Sequence, residues 1–146
     1  KRVVGLPGDT ITYQRGVVSI NGKPLNYSVQ AQQPIGSGND GMEMPGVLAW
    51  EQLGEHRHLV QNYVQSLEVG GDRDGEFVVP AGQYLVMGDN RDNSEDSRVP
   101  AIAGGLGFVP AEFLIGRADR VMFSSAGSSL LYFWTWRPDR FFHAVR

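Results

Sequence analysis

The sequence contains no cysteine, so a disulfide scaffold, a thiolate zinc site and a cysteine nucleophile are all excluded. Lysine is almost as scarce: 11 of the 13 basic residues are arginine, and only Lys1 and Lys23 carry a side-chain amine. Arginine stays protonated at any working pH, so base or Schiff-base chemistry at an amine is confined to those two lysines and the chain's own amino terminus. Histidine is limited to His56, His58 and His143, which leaves a Ser/His/Asp triad few bases to draw on. No apolar run approaches the roughly 18 residues that span a bilayer, and the start lacks the apolar stretch of a secretory signal. Strong charge of either sign is missing too. A net charge of -3 and a pI near 5.5 leave no basic surface to neutralise phosphates, which argues against a nucleic-acid partner. No fixed-period repeat runs through the chain, which excludes solenoids and propellers.

What is present fits one domain with one core. A chain of 146 residues can bury roughly 70% of its unfolded surface. Its 41% apolar and 20% charged residues are those of a globular chain and not of a disordered or fibrous one. Glycine and proline together number 27, which predicts many turns, and the apolar residues alternate or come in short runs. The fold class read from this is mainly β. Strands are predicted at Val3-Val4, Thr10 to Tyr13 and Val17 to Ile20, then at His58 to Val64, Phe77 to Val79, Gln83 to Met87 and Leu114 to Phe123. Asn21-Gly22 is a strong hairpin signal, because both residues accept positive φ in a type I′ turn. The polar stretch Asn26 to Gly46 is expected to be a long connection or mobile ribbon, and Gly70 to Gly75 a charged turn.

Two segments stand out chemically. Near the end, Tyr132, Phe133, Trp134, Trp136, Phe141 and Phe142 crowd six aromatics into eleven residues, interleaved with Arg137 and Arg140. That composition suits a membrane-water boundary, with Phe133, Trp134 and Trp136 as its expected contacts, and equally a buried edge strand. The second segment is Gly88-Asp89-Asn90-Arg91-Asp92-Asn93-Ser94-Glu95-Asp96-Ser97-Arg98. It is not an EF-hand: no frame places glycine sixth with glutamate twelfth, and two arginines sit among the would-be ligands, so no metal is expected. The residues alone leave two readings open: a solvated loop of Asx-turns, or a self-satisfied network of acids and arginines that fixes a loop beside a site.

Together with Lys1-Arg2-Val3-Val4-Gly5-Leu6-Pro7-Gly8-Asp9, that segment closely resembles two signature boxes of bacterial type I signal peptidases, also called leader peptidases. Val79 to Met87, Gly107-Phe108-Val109-Pro110 and Ile115-Gly116-Arg117-Ala118 extend the resemblance to about half the chain. It implies antiparallel sheets forming a protease core with a variable β-ribbon or loop insertion, here residues 26–76 of a partial catalytic domain spanning 1–146. It further implies an endopeptidase that removes signal peptides from exported preproteins on the outer, periplasmic face of the bacterial cytoplasmic membrane. Its expected partners are signal peptides with small residues before the cut, and the lipid surface.

The chemistry implied is a serine nucleophile with a lysine base, needing no histidine, metal or other cofactor. Lys1 aligns with that lysine. An ordinary lysine, of pKa about 10.4, is neutral in only about one molecule in 2,500 at pH 7, so desolvation is required, and Val3 and Val4 are expected to supply it. Ser94 matches the serine that orients the amine, Asp96 and Arg98 match a pair that braces the loop, and Asp89 and Arg2 are placed to link the two boxes. The family's serine-methionine box has no counterpart here, and none of the ten serines lies in a Gly-x-Ser-x-Gly or Ser-x-x-Lys arrangement. The nucleophile and the membrane anchor are therefore expected upstream of this chain, and the chain alone is expected to be inactive. A non-catalytic β-rich peptide-binding or scaffold domain would have the same composition and the same missing nucleophile. A self-cleaving repressor would need a DNA-binding module that the acidic balance does not suggest.

Overall fold

Alternation of apolar and polar residues after Asp9 is read out directly as paired strands. The computed structural model describes residues 1–36, 42–122, 124 and 136–145. It opens with β1 (Arg2–Gly5), β2 (Thr10–Gln14), β3 (Val17–Ile20) and β4 (Lys23–Pro24). A long hairpin of β5 (Asn26–Gly36) and β6 (Glu43–Leu53) follows, then β7 (His56–Tyr63) and a short helix α1 (Val64–Val69). The chain returns as β8 (Gly75–Val78) and β9 (Gln83–Met87), and the described strands end with β10 (Val109–Pro110), β11 (Arg120–Val121) and β12 (His143–Ala144). The sheets have orders β1-β9-β10, β4-β3-β2-β8, β5-β6-β7 and β11-β12, and every strand pair in them is antiparallel. This is the mainly β, antiparallel architecture expected from the sequence.

Residues Lys1–Leu114 form one unit. Its principal core gathers Val4 from β1, Ile11 and Tyr13 from β2, Val18 from β3, Val79, and Leu85 and Met87 from β9. These are the inward positions of strands with period two. Full burial of residues such as Ile11 and Leu85, both 0% exposed, stabilises the unit by about 1.5–3 kcal/mol each. The Asn21-Gly22 link joins β3 to β4 with φ of 51° and 77°, both positive as the hairpin turn requires.

The described residues of Asn26 to Gly46 are more ordered than the sequence suggested. They form β5 and the start of β6, a ladder running from Asn26↔Gln52 to Gly36↔Glu43 with one irregularity between Val29 and Ala31. Much of β5 is exposed, so the backbone ladder carries order that the polar side chains do not announce. The sheet's inward face contributes a smaller core of Val47, Ala49 and Val60, against which Tyr27, Val64 and Leu67 pack. Helix α1 was not expected: Val64 begins it, and the preceding strand is His56–Tyr63.

In the second unit, Ile115–Arg146, the strands among the described residues are the short β11-β12 pair, Arg120↔Ala144 and Val121↔His143. The strand expected over Leu114 to Phe123 shrinks to Arg120–Val121, while Phe123 lies outside the described residues. Leu114 instead closes a 3-10 turn at Ala111–Phe113, and Ile115 is fully exposed, so the apolar run has no sheet face to bury.

Candidate active site

Antiparallel pairing of β1 with β9 sets the geometry. Arg2 pairs with Met87, which brings Lys1 alongside Gly88, where β9 gives way to the polar loop 88–98. The loop folds back on its own strand. Ser97 donates its amide to the Val86 carbonyl at 3.1 Å, and its hydroxyl accepts the Val86 amide at 2.9 Å. Asp96 accepts the Gly88 amide at 2.9 Å. This return carries Ser94 inward until its hydroxyl accepts a hydrogen bond from the Lys1 amine, Nζ to Oγ, at 2.5 Å. Gly88 is required here by close approach, because a Cβ at this position would collide with the Ser94 side chain. Ser94 is buried, and its carbonyl accepts from the Arg73 guanidinium in the turn before β8.

The two expected acid-arginine pairs form. Arg98 grips Asp96 through Nε at 2.9 Å and Nη2 at 2.7 Å, with both side chains fully buried. Burial alone would raise the Asp96 pKa. The hydrogen bonds and charge of Arg98, joined by the Gly88 and Arg98 amides, outweigh it and hold the carboxyl below its ordinary range. Arg2 reaches Asp89 at 2.7 and 3.2 Å across the two boxes, at the exposed rim.

Beneath the loop lies a second network, which the sequence reading missed. Arg91, 1% exposed, donates to both oxygens of Glu51 on β6 at 2.9 and 2.5 Å. Glu51 faces His58 across the β6-β7 ladder, with Nε2 to Oε1 at 3.2 Å. That approach meets the distance of a hydrogen bond but not its geometry, and the other ring nitrogen of His58 has no hydrogen-bond partner among the described residues. Burial pushes the Glu51 carboxyl up, but His58 and Arg91 more than reverse this and hold it below its usual range. For Arg91, burial lowers the pKa and Glu51 raises it further, so the guanidinium is the more firmly charged. Tyr13 lies under both arginines, with the Arg98 guanidinium 4.6 Å and that of Arg91 6.0 Å from its ring centre. Burial pushes the Tyr13 phenol up to about 12, against the opposing charge of Arg98. Its oxygen accepts from Asn62 at 2.7 Å. A signal for Glu51 and Asn62 was available: each shares the inward, alternating face of its strand with apolar neighbours, Val47 and Ala49 in β6 and Val60 in β7.

One expectation about Lys1 is corrected. Val3 and Val4 do not enclose it: Lys1 is exposed, because strand alternation sends Val4 into the core at 5% exposure and turns Val3 outward at 39%. Lys23, next to its turn, is exposed as well. Of the aromatic residues expected at a lipid surface, Phe133 and Trp134 lie outside the described residues. Trp136 is partly exposed and meets Phe141 edge to face, ring centres 6.0 Å apart. Among the described residues no helix is long and apolar enough to cross a membrane, and no cluster of histidine and carboxylate side chains could hold a metal ion.

An amine held on a buried hydroxyl by a braced loop can exchange a proton with a third group brought to it. Comparison with known proteins gives that arrangement a context. A family model described as signal peptidase, peptidase S26, matches residues 1–123. Signal peptidase I of Pseudomonas aeruginosa is 37% identical over 129 residues, covering 85% of this chain and 43% of that protein. The corresponding protein of Pseudomonas fluorescens is 38% identical, with the same coverage of each. Signal peptidase I of Rickettsia typhi is 37% identical over 133 residues, covering 86% of this chain and 46% of its own length. The chain thus spans less than half the length of these relatives.

Proposed function

Because the chain belongs to the signal peptidase family, peptidase S26, we propose that it is the lysine-bearing part of a serine endopeptidase that removes N-terminal signal peptides from exported preproteins. Lys1 is the general base. In its neutral form it takes the proton from a nucleophilic serine as that oxygen attacks the scissile carbonyl, and it returns the proton to the departing amine. The nucleophile belongs to a segment outside this chain, consistent with the share of each relative that the chain covers. Ser94 steers the amine, Asp96 and Arg98 brace the loop that carries Ser94, and the Arg2-Asp89 pair ties that loop to β1. The observation that carries this reading is the 2.5 Å contact between Lys1 Nζ and Ser94 Oγ.

Since Lys1 is exposed within this chain, covering the amine falls to the bound substrate and to the residues outside it. Residues 26–76 act as a variable insertion in the catalytic domain. The enzyme works on the outer face of the bacterial cytoplasmic membrane. The aromatic and arginine-rich stretch around Trp136, Arg137, Arg140 and Phe141 supports contact with lipid there.

The test is cleavage of a preprotein by the full-length enzyme, read by mass spectrometry. Lys1→Ala is expected to lower kcat by at least about a thousandfold, and Ser94→Ala by about tenfold to a hundredfold. The 146-residue chain alone is expected to give no product. Turnover by the isolated chain, or full activity in Lys1→Ala, would sink the proposal.

A further inference from the structure

Glu51 is a buried carboxylate for which the reaction proposed above has no use. It projects from the inward face of β6, 1% exposed, and both of its oxygens are taken by Arg91. A carboxylate removed from water is kept only where it is paired, and well-packed apolar residues of similar volume often replace such a pair with no loss of stability. A directional hold on Arg91 is what charge adds.

The consequences of that hold run into the loop. Arg91 Nε donates to the Gly88 carbonyl at 3.2 Å, and the Arg91 carbonyl accepts from Arg98 Nη2 at 2.6 Å. Gly88 is thereby fixed on its carbonyl side by Arg91 and on its amide side by Asp96. Ser94 packs directly on the Gly88 backbone, where no Cβ could be placed, so the height of Gly88 sets the gap between Ser94 and Lys1. The neighbouring strand β7 fixes the same stretch from one side. Gln61 donates its amide to the Asp89 carbonyl at 2.8 Å and accepts from the Arg91 amide at 2.9 Å.

We infer that Glu51 is a positioning residue for the proteolysis: acting through Arg91, it sets Gly88 at the depth where the Ser94 hydroxyl meets the Lys1 amine. The inference rests on the reading of Lys1 as general base. It gives the β5-β6-β7 sheet a task in the chemistry, because its own carboxylate aligns a residue 93 positions away from Lys1 in sequence.

The experiment uses the full-length enzyme and a preprotein substrate, with kcat measured per folded molecule. Glu51→Gln preserves shape and one acceptor; it is expected to lower kcat about tenfold to a hundredfold with KM changed by less than about twofold. Added to Ser94→Ala, it is expected to cost nothing more, since both changes forfeit the same alignment of Lys1. Multiplying losses in the double variant, or a lowered melting temperature with unchanged kcat, would overturn the inference. If Glu51→Gln fails to fold, the matched apolar pair Glu51→Met with Arg91→Met decides. A folded but slow enzyme supports the inference; a folded enzyme at full rate, or a second failure to fold, overturns it. Wild-type rates in Lys1→Ala and Ser94→Ala would instead refute the general-base reading. Loss of activity in those two with Glu51→Gln unaffected refutes the positioning role alone.

Discussion

The Arg2-Asp89 pair at the rim of the 88–98 loop and the Arg98-Asp96 pair in its floor use the same side-chain types at the same 2.7 Å separation. Their surroundings differ. The rim side chains are 22% and 47% exposed, so water screens their attraction and competes for their hydrogen bonds. The floor side chains are 0% exposed, and neither ion could remain there alone. Contact distance is therefore a poor guide to what a pair contributes. The rim pair orients two segments that other forces already place, while the floor pair is a condition for the loop's existence.

That contrast can be tested by degrees. The largest effect is expected from acid, which acts on both buried pairs at once. Asp96 and Glu51 are held below their ordinary values of 3.8 and 4.5, so as pH falls the unfolded chain takes up protons before the folded one does. The stability these groups contribute is present above that range and lost as pH drops through it and below. Urea midpoints measured from pH 6 down to pH 3 should fall steeply, and a flat profile would contradict the arrangement. Next comes Asp96→Ala, which strands the Arg98 charge; a loss of about 3–5 kcal/mol is expected in urea unfolding at pH 7. Gly88→Ala should cost about 1–3 kcal/mol through overpacking against Ser94, and in the function proposed above it should slow preprotein cleavage by the full-length enzyme, because the displaced hydroxyl leaves Lys1. The smallest effect belongs to Arg2→Ala at the partly exposed rim, about 0.2–1 kcal/mol and shrinking further in high salt. A rim loss as large as the floor loss would erase the distinction.

Local patterns made much of this fold legible. The expected strand Val17 to Ile20 matches β3, Gln83 to Met87 matches β9, and Asn21-Gly22 supplies the turn, because alternation and positive φ are written in neighbouring residues. Leu114 to Phe123 was misread for the complementary reason: apolar residues suggest a strand, but a strand needs a partner, and among the described residues the fully exposed Ile115 has none to lie against. The same limit applied to the site. Lys1, Ser94, Asp96 and Arg98 could be singled out from two short boxes, whereas Glu51 is paired through a fold that brings β6 beneath a loop 40 residues away. Only the charged residue at an inward position of β6 hinted at it. The expected apolar cover of Lys1 failed because two adjacent valines in a strand must face opposite ways.

The isolated parallel bridge between Gln61 and Asn90 ties β7 to the 88–98 loop and makes the β5-β6-β7 sheet unequal along its length. The Gly36↔Glu43 end of the ladder lies beyond the last β6-β7 pair, Gly46↔Tyr63, so a change of length there leaves the register at Gln61 untouched. Around Gln61 the arithmetic is stricter. Deleting a single residue from β7 would rotate every later side chain to the opposite face, pointing Asn62 away from Tyr13 and presenting the loop with the wrong edge. The phase in which β7 reaches the loop is therefore set by the register at Gln61, whatever the length of the hairpin before it.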